Sequence, residues 1–182
     1  MSKGTLYRAG ALLAVATAML AVTPALAGSA RQATKKKATV VVRCKDQLVP
    51  NRFFKEGCRF FNDVNRIRAG GTLTIRNRSD EPHTFSIVRR SDQPRNIRQG
   101  GKCFEGGVCG QLAGAHGLDD QGNVANPTLN VGAPGLDAKG DSLFFGPKQT
   151  VKVNVSAKAG TKLYFMCILH PQMQARLDVK KK

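Results

Sequence analysis

The sequence predicts an all-β protein, a sandwich of about seven short strands. Three observations lead to this fold class. Runs of β-branched and aromatic residues are short, and turns rich in Gly, Asn and Pro separate them. No segment after the N-terminal region shows a convincing helical periodicity. With 182 residues, 41% of them hydrophobic and none of them Trp, the chain supplies one ordinary core.

The strands are predicted from local patterns along the chain. Thr39–Val42 is rich in Val, and Thr150–Val155 alternates Val with polar residues, which is typical of a half-buried strand. A turn at 69–71 is expected to separate two short strands, and a second turn at 77–82 precedes another strand. The predicted strands are 39–42, the pair that contains Val64, Ile67, Leu73 and Ile75, then 83–88, 150–155, 163–167 and 175–179.

The N-terminus has the pattern of a signal peptide over residues 1–27. Lys3 and Arg8 precede an apolar segment, and Ala25-Leu26-Ala27 provides the small-x-small cleavage pattern. The alternative is a single membrane anchor, but the many small residues and the cleavage pattern favour removal. We therefore expect an exported protein, periplasmic or extracellular, with no transmembrane segment after cleavage. Residues 28–37 are predicted as a basic flexible lead-in, and 38–182 as one domain.

The chain is strongly basic, with 29 Lys and Arg against 12 Asp and Glu, a formal charge of +17. Removal of the signal peptide takes away two of these positive charges and leaves +15. Such a charge predicts an acidic redox partner or an anionic surface as the binding partner. Nucleic acid is the other usual partner of a basic protein, but export argues against it. We expect a monomer.

Residues 89–142 form a predicted insertion, rich in Gly and poor in strand-forming residues. Outside the cytoplasm disulfides are permitted, and the five Cys leave at least one thiol unpaired. Pairing neighbours, Cys44 with Cys58 and Cys103 with Cys109, is the simplest of three connectivities for these four. Cys167 is then the odd thiol. His116, inside the insertion, is expected to be a loop histidine.

A segment near the C-terminus contains Cys167, His170 and Met173 in a Cys-x2-His-x2-Met pattern. Thiolate, imidazole and thioether together suit copper, and a second histidine, His83, follows a turn at the start of a strand. Each residue also has an ordinary interpretation. Cys167 could be an inert buried thiol, Met173 a core residue, and either histidine a satisfied side chain. All four in this order favour copper.

From Phe61 to Val179 the chain resembles the cupredoxins, small blue copper proteins of the plastocyanin and azurin type. The resemblance lies in Arg68-Ala69-Gly70-Gly71-Thr72, in the approach from Asn77 to His83, and in Tyr164-Phe165-Met166-Cys167. The ligand loop is most similar to that of amicyanin, which also has Pro after the second His. The resemblance implies a Greek-key β-sandwich of about seven to eight strands, here with the long Gly-rich insertion held by a disulfide.

The resemblance further implies one type 1 copper ion, with His83, Cys167 and His170 as equatorial ligands and Met173 as the axial ligand. The expected function is outer-sphere electron transfer through the edge of His170, without enzymatic activity. The alternatives are a copper carrier and an enzyme-like copper site with an open axial position. Three departures from the family stand out: Thr84 in place of Asn, Leu169 in place of Pro, and Gln174-Ala175 in place of Gly.

Overall fold

The computed structural model describes residues 35–44, 47–49, 52–55, 57–62, 66–130 and 135–181. The predicted signal peptide and Val64 lie outside these residues. Within them, the strands are β1 (Lys35–Arg43), β2 (Gln47–Val49), β3 (Arg52–Lys55), β4 (Arg59–Asn62), β5 (Arg66–Asn77), β6 (His83–Val88), β7 (Thr128–Leu129), β8 (Ser142–Phe145), β9 (Thr150–Val155), β10 (Lys162–Met166) and β11 (Gln174–Lys180). The helices are α1 (Ile97–Phe104), α2 (Val108–His116) and a short 3₁₀ turn, Arg90–Asp92.

The long strand β5 belongs to two layers. Its C-terminal half pairs with β9 and β1, and β4 extends this layer beyond β1. Its first residues, Arg66–Arg68, pair with β11, from which the other layer continues through β10, β6, β8 and β7. The hairpin of β2 and β3 is separate. This pairing shows the predicted β-sandwich.

The predicted turn at 69–71 is wrong, because β5 runs through it as one strand with a local kink. Gly70 has a φ of +73°, which a residue with a side chain rarely adopts. A Cβ on Gly71 would lie 2.6 Å from the carbonyl oxygen of Lys36 on β1. The two glycines therefore let one strand change its partners where the sequence pattern suggested a reversal of the chain.

The core lies between the two layers and contains a cluster of three aromatic rings. Phe85 on β6 and Phe165 on β10 stack with their ring centroids 4.1 Å apart. Phe60, from β4 in the opposite layer, contacts both edge-on, at 6.0 and 5.1 Å. Aliphatic residues from both layers complete the same buried cluster. This cluster packs beneath the end of the sandwich at which β6 begins and β10 ends.

The region 89–142, predicted as an insertion without a helical pattern, contains α1, α2 and β7. Asn96 caps α1 by accepting a hydrogen bond from the Gln99 backbone N–H, and Gly117, with a φ of +64°, ends α2. A disulfide joins Cys103 to Cys109 across the two helices. Both helices contain glycines, each of which costs about 1 kcal/mol of helix stability, so the helical signal in the sequence was weak.

The helices are held by a second buried cluster rather than by their intrinsic propensity. In it the disulfide and Leu112 pack against Val88, Met166 and Ile168 of the sandwich. The insertion is therefore an integral layer beside β6 and β10. At the other end of the described chain, β1 begins at Lys35, so the last three residues of the stretch expected as a lead-in are part of the sheet.

The second disulfide, between Cys44 and Cys58, joins the chain after β1 to the chain before β4. Both neighbour pairs suggested by the sequence are thus present, and Cys167 is the free cysteine. No helix among the described residues has the length and apolar character needed to cross a membrane.

Candidate metal centre

Three of the four predicted ligands meet at one end of the sandwich. Nδ1 of His83, at the start of β6, lies 3.7 Å from the Cys167 sulfur, and Nδ1 of His170 lies 3.6 Å from it. The ligand atoms of all three residues fall within 4.8 Å of one another. His83 and Cys167 are fully buried. A single ion about 2.0–2.3 Å from each atom fits a triangle of this size.

The fourth predicted ligand, Met173, is buried in the same core cluster as Cys167. Its backbone N–H donates to the carbonyl oxygen of His170, at 2.8 Å, and its carbonyl oxygen accepts from the Cys167 N–H, at 3.0 Å. These two bonds close the loop between β10 and β11 into a compact turn. These backbone bonds therefore fix the relative positions of the three loop residues.

The orientation of His83 is determined by a residue that the sequence did not single out, Ser79. The Ser79 hydroxyl donates to Oδ1 of Asn77, at 2.7 Å, so it accepts from Nε2–H of His83, at 2.8 Å. Asn77 is anchored in turn to the carbonyl oxygens of Glu81 and Gly146. This tautomer leaves the Nδ1 lone pair of His83 free on the side of Cys167.

Burial lowers the pKa of His83 to about 4, with a smaller contribution from the charge of His170. The imidazole of His83 is therefore neutral near pH 7, which is the form that binds a metal ion.

Thr84, noted in the sequence as a departure from the family, connects the two ligand segments. Its backbone N–H donates to the Cys167 sulfur, at 3.3 Å, and its hydroxyl oxygen accepts from the Ile168 N–H, at 2.9 Å. Thr84 thus joins the start of β6 to the ligand loop.

Burial raises the pKa of the Cys167 thiol above its usual range, and hydrogen bonds from the backbone N–H groups of Thr84, His170 and Leu169 oppose this shift. Those N–H groups stabilise the thiolate in an otherwise apolar site. A soft metal ion that binds there has to displace the thiol proton.

We expect Leu169→Pro to lower the reduction potential of the copper-loaded protein while its blue spectrum persists. Proline has no N–H, so the substitution removes one donor to the sulfur and strengthens thiolate donation, which favours Cu(II). Voltammetry measures the potential, and Leu169→Ala, which keeps the N–H, is the matched control. A Pro variant that binds copper with an unchanged or higher potential would contradict this role of the Leu169 N–H.

His170 differs from the other ligands because its ring reaches the surface, with 15% of its side chain exposed. Its Nε2 lies 3.3 Å from Oε2 of Glu81, in the turn that precedes β6. A carboxylate there accepts from Nε2–H and leaves Nδ1 for the metal. The sequence does not single out Glu81, since a carboxylate in a turn is usually only a solvated side chain.

A second cluster of potential ligands, Cys44, Cys58, Glu81 and His83, shares His83 with the first. Its two sulfurs form a disulfide and provide no thiolate. Among the described residues, the centre at His83, Cys167 and His170 is therefore the one with a donor set for a soft metal. Two imidazoles and a thiolate in a buried site fit copper, as does the thioether of Met173 in the same loop.

His116, expected in a loop, is the last residue of α2 and is 1% exposed. Its Nδ1 donates to the carbonyl oxygen of Asn126, and its Nε2 lies 2.8 Å from Oγ of Ser142 on β8. It lies outside the ligand cluster.

No family model and no curated protein matches the chain. Solved structures that are similar to it include reduced auracyanin from Roseiflexus castenholzii, with 18% identity, a TM-score of 0.37, and coverage of 65% of this chain and 86% of that one. Auracyanin A, a "blue" copper protein from Chloroflexus aurantiacus, has 20% identity, a TM-score of 0.38, and coverage of 79% and 98%.

A multi-copper oxidase from Pseudomonas thermotolerans has 13% identity and a TM-score of 0.39, with coverage of 82% of this chain and 30% of that one. The chain resembles the cupredoxins in its β-sandwich and in the order of His83, Cys167, His170 and Met173 along the sequence.

Proposed function

We propose that this protein is an exported electron-transfer protein with one type 1 copper ion bound by His83, Cys167, His170 and Met173. The observation that carries the proposal is the convergence of one thiol and two imidazole nitrogens within 4.8 Å, at a buried end of the sandwich. A bound copper ion supplies a one-electron couple between Cu(I) and Cu(II). In this proposal the protein is not an enzyme.

The residues around the centre suit this role because they hold the ligands in one geometry. Ser79 orients His83, Thr84 joins the two ligand segments, and the bonds of Met173 close the loop. Ligands that are fixed before the metal changes charge need little rearrangement when an electron arrives or leaves. Burial of Cys167 excludes water from the sulfur.

Electrons enter and leave through the edge of His170 in this proposal, because it is the one proposed ligand with an exposed ring. Near it, a groove between α1 and the ligand loop is lined by Ile97, Phe104 and Pro171. Ile97 is 95% exposed and Phe104 47%, which is unusual for large apolar side chains. Arg95 lies in the same groove. An acidic redox protein with a small apolar contact area suits this face.

We expect the rates of electron transfer with small inorganic reagents to depend on salt in the way that a basic protein predicts. Oxidation of the reduced protein by hexacyanoferrate(III), a trianion, should slow as the salt concentration rises, because salt screens the attraction. A cationic cobalt complex should show the opposite trend in the same stopped-flow measurement. Equal trends for both reagents would show that basic groups do not dominate the field at the electron-transfer site.

The signal peptide remains part of this proposal, as does the monomeric state. Mass spectrometry of the protein recovered from an exporting host tests for cleavage after Ala27. Both disulfides suit an oxidising compartment, which supports export.

A visible and EPR spectrum of the copper-loaded protein tests the proposed function. An intense blue absorption and the EPR spectrum of a type 1 centre are expected. The alternatives are a copper carrier and a site with an open axial position. A carrier that holds Cu(II) without the thiolate would lack the intense band, and an open position that takes up a small molecule would give the EPR spectrum of a tetragonal centre. Such a spectrum would overturn the proposal.

We expect Met173→Gln to keep copper bound and to lower its reduction potential, since an oxygen donor favours Cu(II) more than a thioether does. Potentiometry measures the difference. Met166→Leu is the control, because Met166 is equally buried but packs in the second cluster, with the insertion. If both variants kept the potential of the unmodified protein, Met173 would not be the axial ligand.

A further inference from the structure

A line of buried polar side chains connects the end of α2 to the metal centre. From His116 Nε2 it passes to Ser142 Oγ, 2.8 Å away, and then to Ser86 Oγ, 2.7 Å further. Ser86 donates to the hydroxyl of Thr84, at 3.0 Å, and that hydroxyl contacts the Cys167 sulfur. All of these side chains are 1% exposed or less. We refer to the three hydroxyls, of Ser142, Ser86 and Thr84, as the relay.

The proton count along the relay depends on His116. A hydroxyl donates one hydrogen bond, so with Ser86 donating to Thr84, Ser142 has to donate to Ser86. His116 then has to donate from Nε2. Its Nδ1 faces the carbonyl oxygen of Asn126, which can only accept. This direction of the relay therefore requires an imidazolium, and it leaves the Thr84 hydroxyl hydrogen free to point at the sulfur.

With neutral His116 the direction reverses. Nε2 then accepts from Ser142, and Ser142 accepts from Ser86, so Ser86 no longer donates to Thr84. The Thr84 hydrogen can then rotate toward the freed Ser86 oxygen and away from the sulfur. The Ile168 N–H donates to the Thr84 oxygen in both arrangements. The two arrangements differ by one proton on Nε2 and by the rotation of the three hydroxyls.

Among the residues that the structure describes, no carboxylate is hydrogen-bonded to His116. Burial lowers the pKa of His116, and the hydrogen bond to Asn126 offsets this shift only in part. Asp119, three residues after the end of α2, and Asp141, next to Ser142, each accept two backbone N–H groups. The ring of Phe144 packs at 6.1 Å. The arrangement with neutral His116 is therefore expected near pH 7. The imidazolium should form only at a pH below the usual pKa of a histidine.

We infer that His116 is a positioning residue for the metal centre, whose protonation sets the direction of the relay and thereby whether the Thr84 hydroxyl donates to the Cys167 sulfur. This inference rests on the proposed copper function. A hydrogen bond to the sulfur weakens thiolate donation and favours Cu(I). The reduction potential should accordingly rise as the pH falls through the titration of His116.

The test compares the full-length protein with Ser142→Ala, which interrupts the relay and leaves His116 and all ligands in place. Potentials are measured by voltammetry between about pH 4 and pH 8, across the range in which a buried histidine titrates. NMR of the histidine rings gives the pKa of His116 in both proteins. In the unmodified protein we expect the reduction potential to rise as the pH falls, with a midpoint at the pKa of His116. The Ser142→Ala variant should lack this part of the rise.

Ser156→Ala is the matched control, because the buried Ser156 hydroxyl has no hydrogen-bond partner among the described residues. It should keep the full pH dependence. A charge on His116 that acts only through space would raise the potential equally in Ser142→Ala, and that result would overturn the relay. A potential that does not follow the titration of His116 in the unmodified protein would overturn it as well.

Copper-free protein separates this inference from the proposed function. There the Thr84 and Ile168 amide resonances should shift with the midpoint of His116, and Ser142→Ala should abolish the shift. If the copper-loaded protein lacked the blue absorption but these amide shifts were present, the proposed copper function would be refuted and the relay would not. If the amide resonances did not follow the titration of His116, the relay would be refuted, whatever the visible spectrum of the copper-loaded protein shows.

Discussion

The Cys167→Ala variant is expected to lose the blue absorption of the copper-loaded protein completely. That absorption requires a thiolate bound to Cu(II), and Cys167 is the free cysteine of the structure. Its sulfur lies 3.7 and 3.6 Å from the nitrogens of His83 and His170. Alanine removes the anionic ligand and leaves two imidazoles and a thioether. Visible spectroscopy and equilibrium dialysis measure the lost band and the weakened copper binding.

The matched control removes the disulfide of the insertion, through Cys103→Ala together with Cys109→Ala. This double variant should keep the blue band, because both sulfurs are bonded to each other within the second cluster. Thiol titration of the unfolded, unreduced protein should give one reactive thiol, and peptide mapping should assign it to Cys167. A blue band that survives in Cys167→Ala, or a free thiol elsewhere, would show that the ligand assignment is wrong.

The Phe165→Ala variant should lose about 3–5 kcal/mol of unfolding free energy, the usual cost of removing a buried aromatic ring. Phe165 is fully buried and contacts Phe60 and Phe85, so its removal opens a cavity between the two layers. It also lies two residues before Cys167 on the strand that leads to the ligand loop. Urea denaturation of the copper-free protein, with disulfides intact, measures the change.

Phe61 provides the comparison for this variant, because it neighbours Phe60 on β4 but has 49% of its surface exposed. Its ring contacts the Arg43 guanidinium at 5.8 Å. Phe61→Ala should therefore cost less than about 1 kcal/mol. Similar losses in Phe61→Ala and Phe165→Ala would mean that the aromatic cluster does not hold the layers together.

Local pattern and residue chemistry were sufficient to predict the sandwich and the three residues that meet at one end of it, His83, Cys167 and His170. Alternation predicts a strand wherever one face is buried, and Thr150–Val155 shows that relation directly. Cys167, His170 and Met173 lie close together because they are close in sequence, so their spacing already limits the geometry. The prediction of His83 needed one further condition, that the strand beginning with His83 start at the same end of the sandwich. The structure meets this condition.

Contacts between distant segments explain where the sequence-based description failed. The glycines at 70 and 71 fit either a turn or a kinked strand, and the approach of Lys36 across the sheet decides between them. Helix propensity in the insertion is weak, and α1 and α2 are stabilised by the Cys103–Cys109 bond and by packing on Met166 and Ile168. Neither contact is visible in a local window of sequence.

The composition of the chain, the alternation of its strands and the short ligand loop identify a β-sandwich with a copper-type donor set, since each depends on neighbouring residues. The hydrogen bonds around those donors depend on segments far apart in the chain. Glu81 and His170 are 89 residues apart in the sequence, and Ser86 and Ser142 are 56 apart, yet the side chains of each pair are in contact. Such bonds form only when buried polar groups from different strands face each other without water, so the folded backbone alone decides which partners they find.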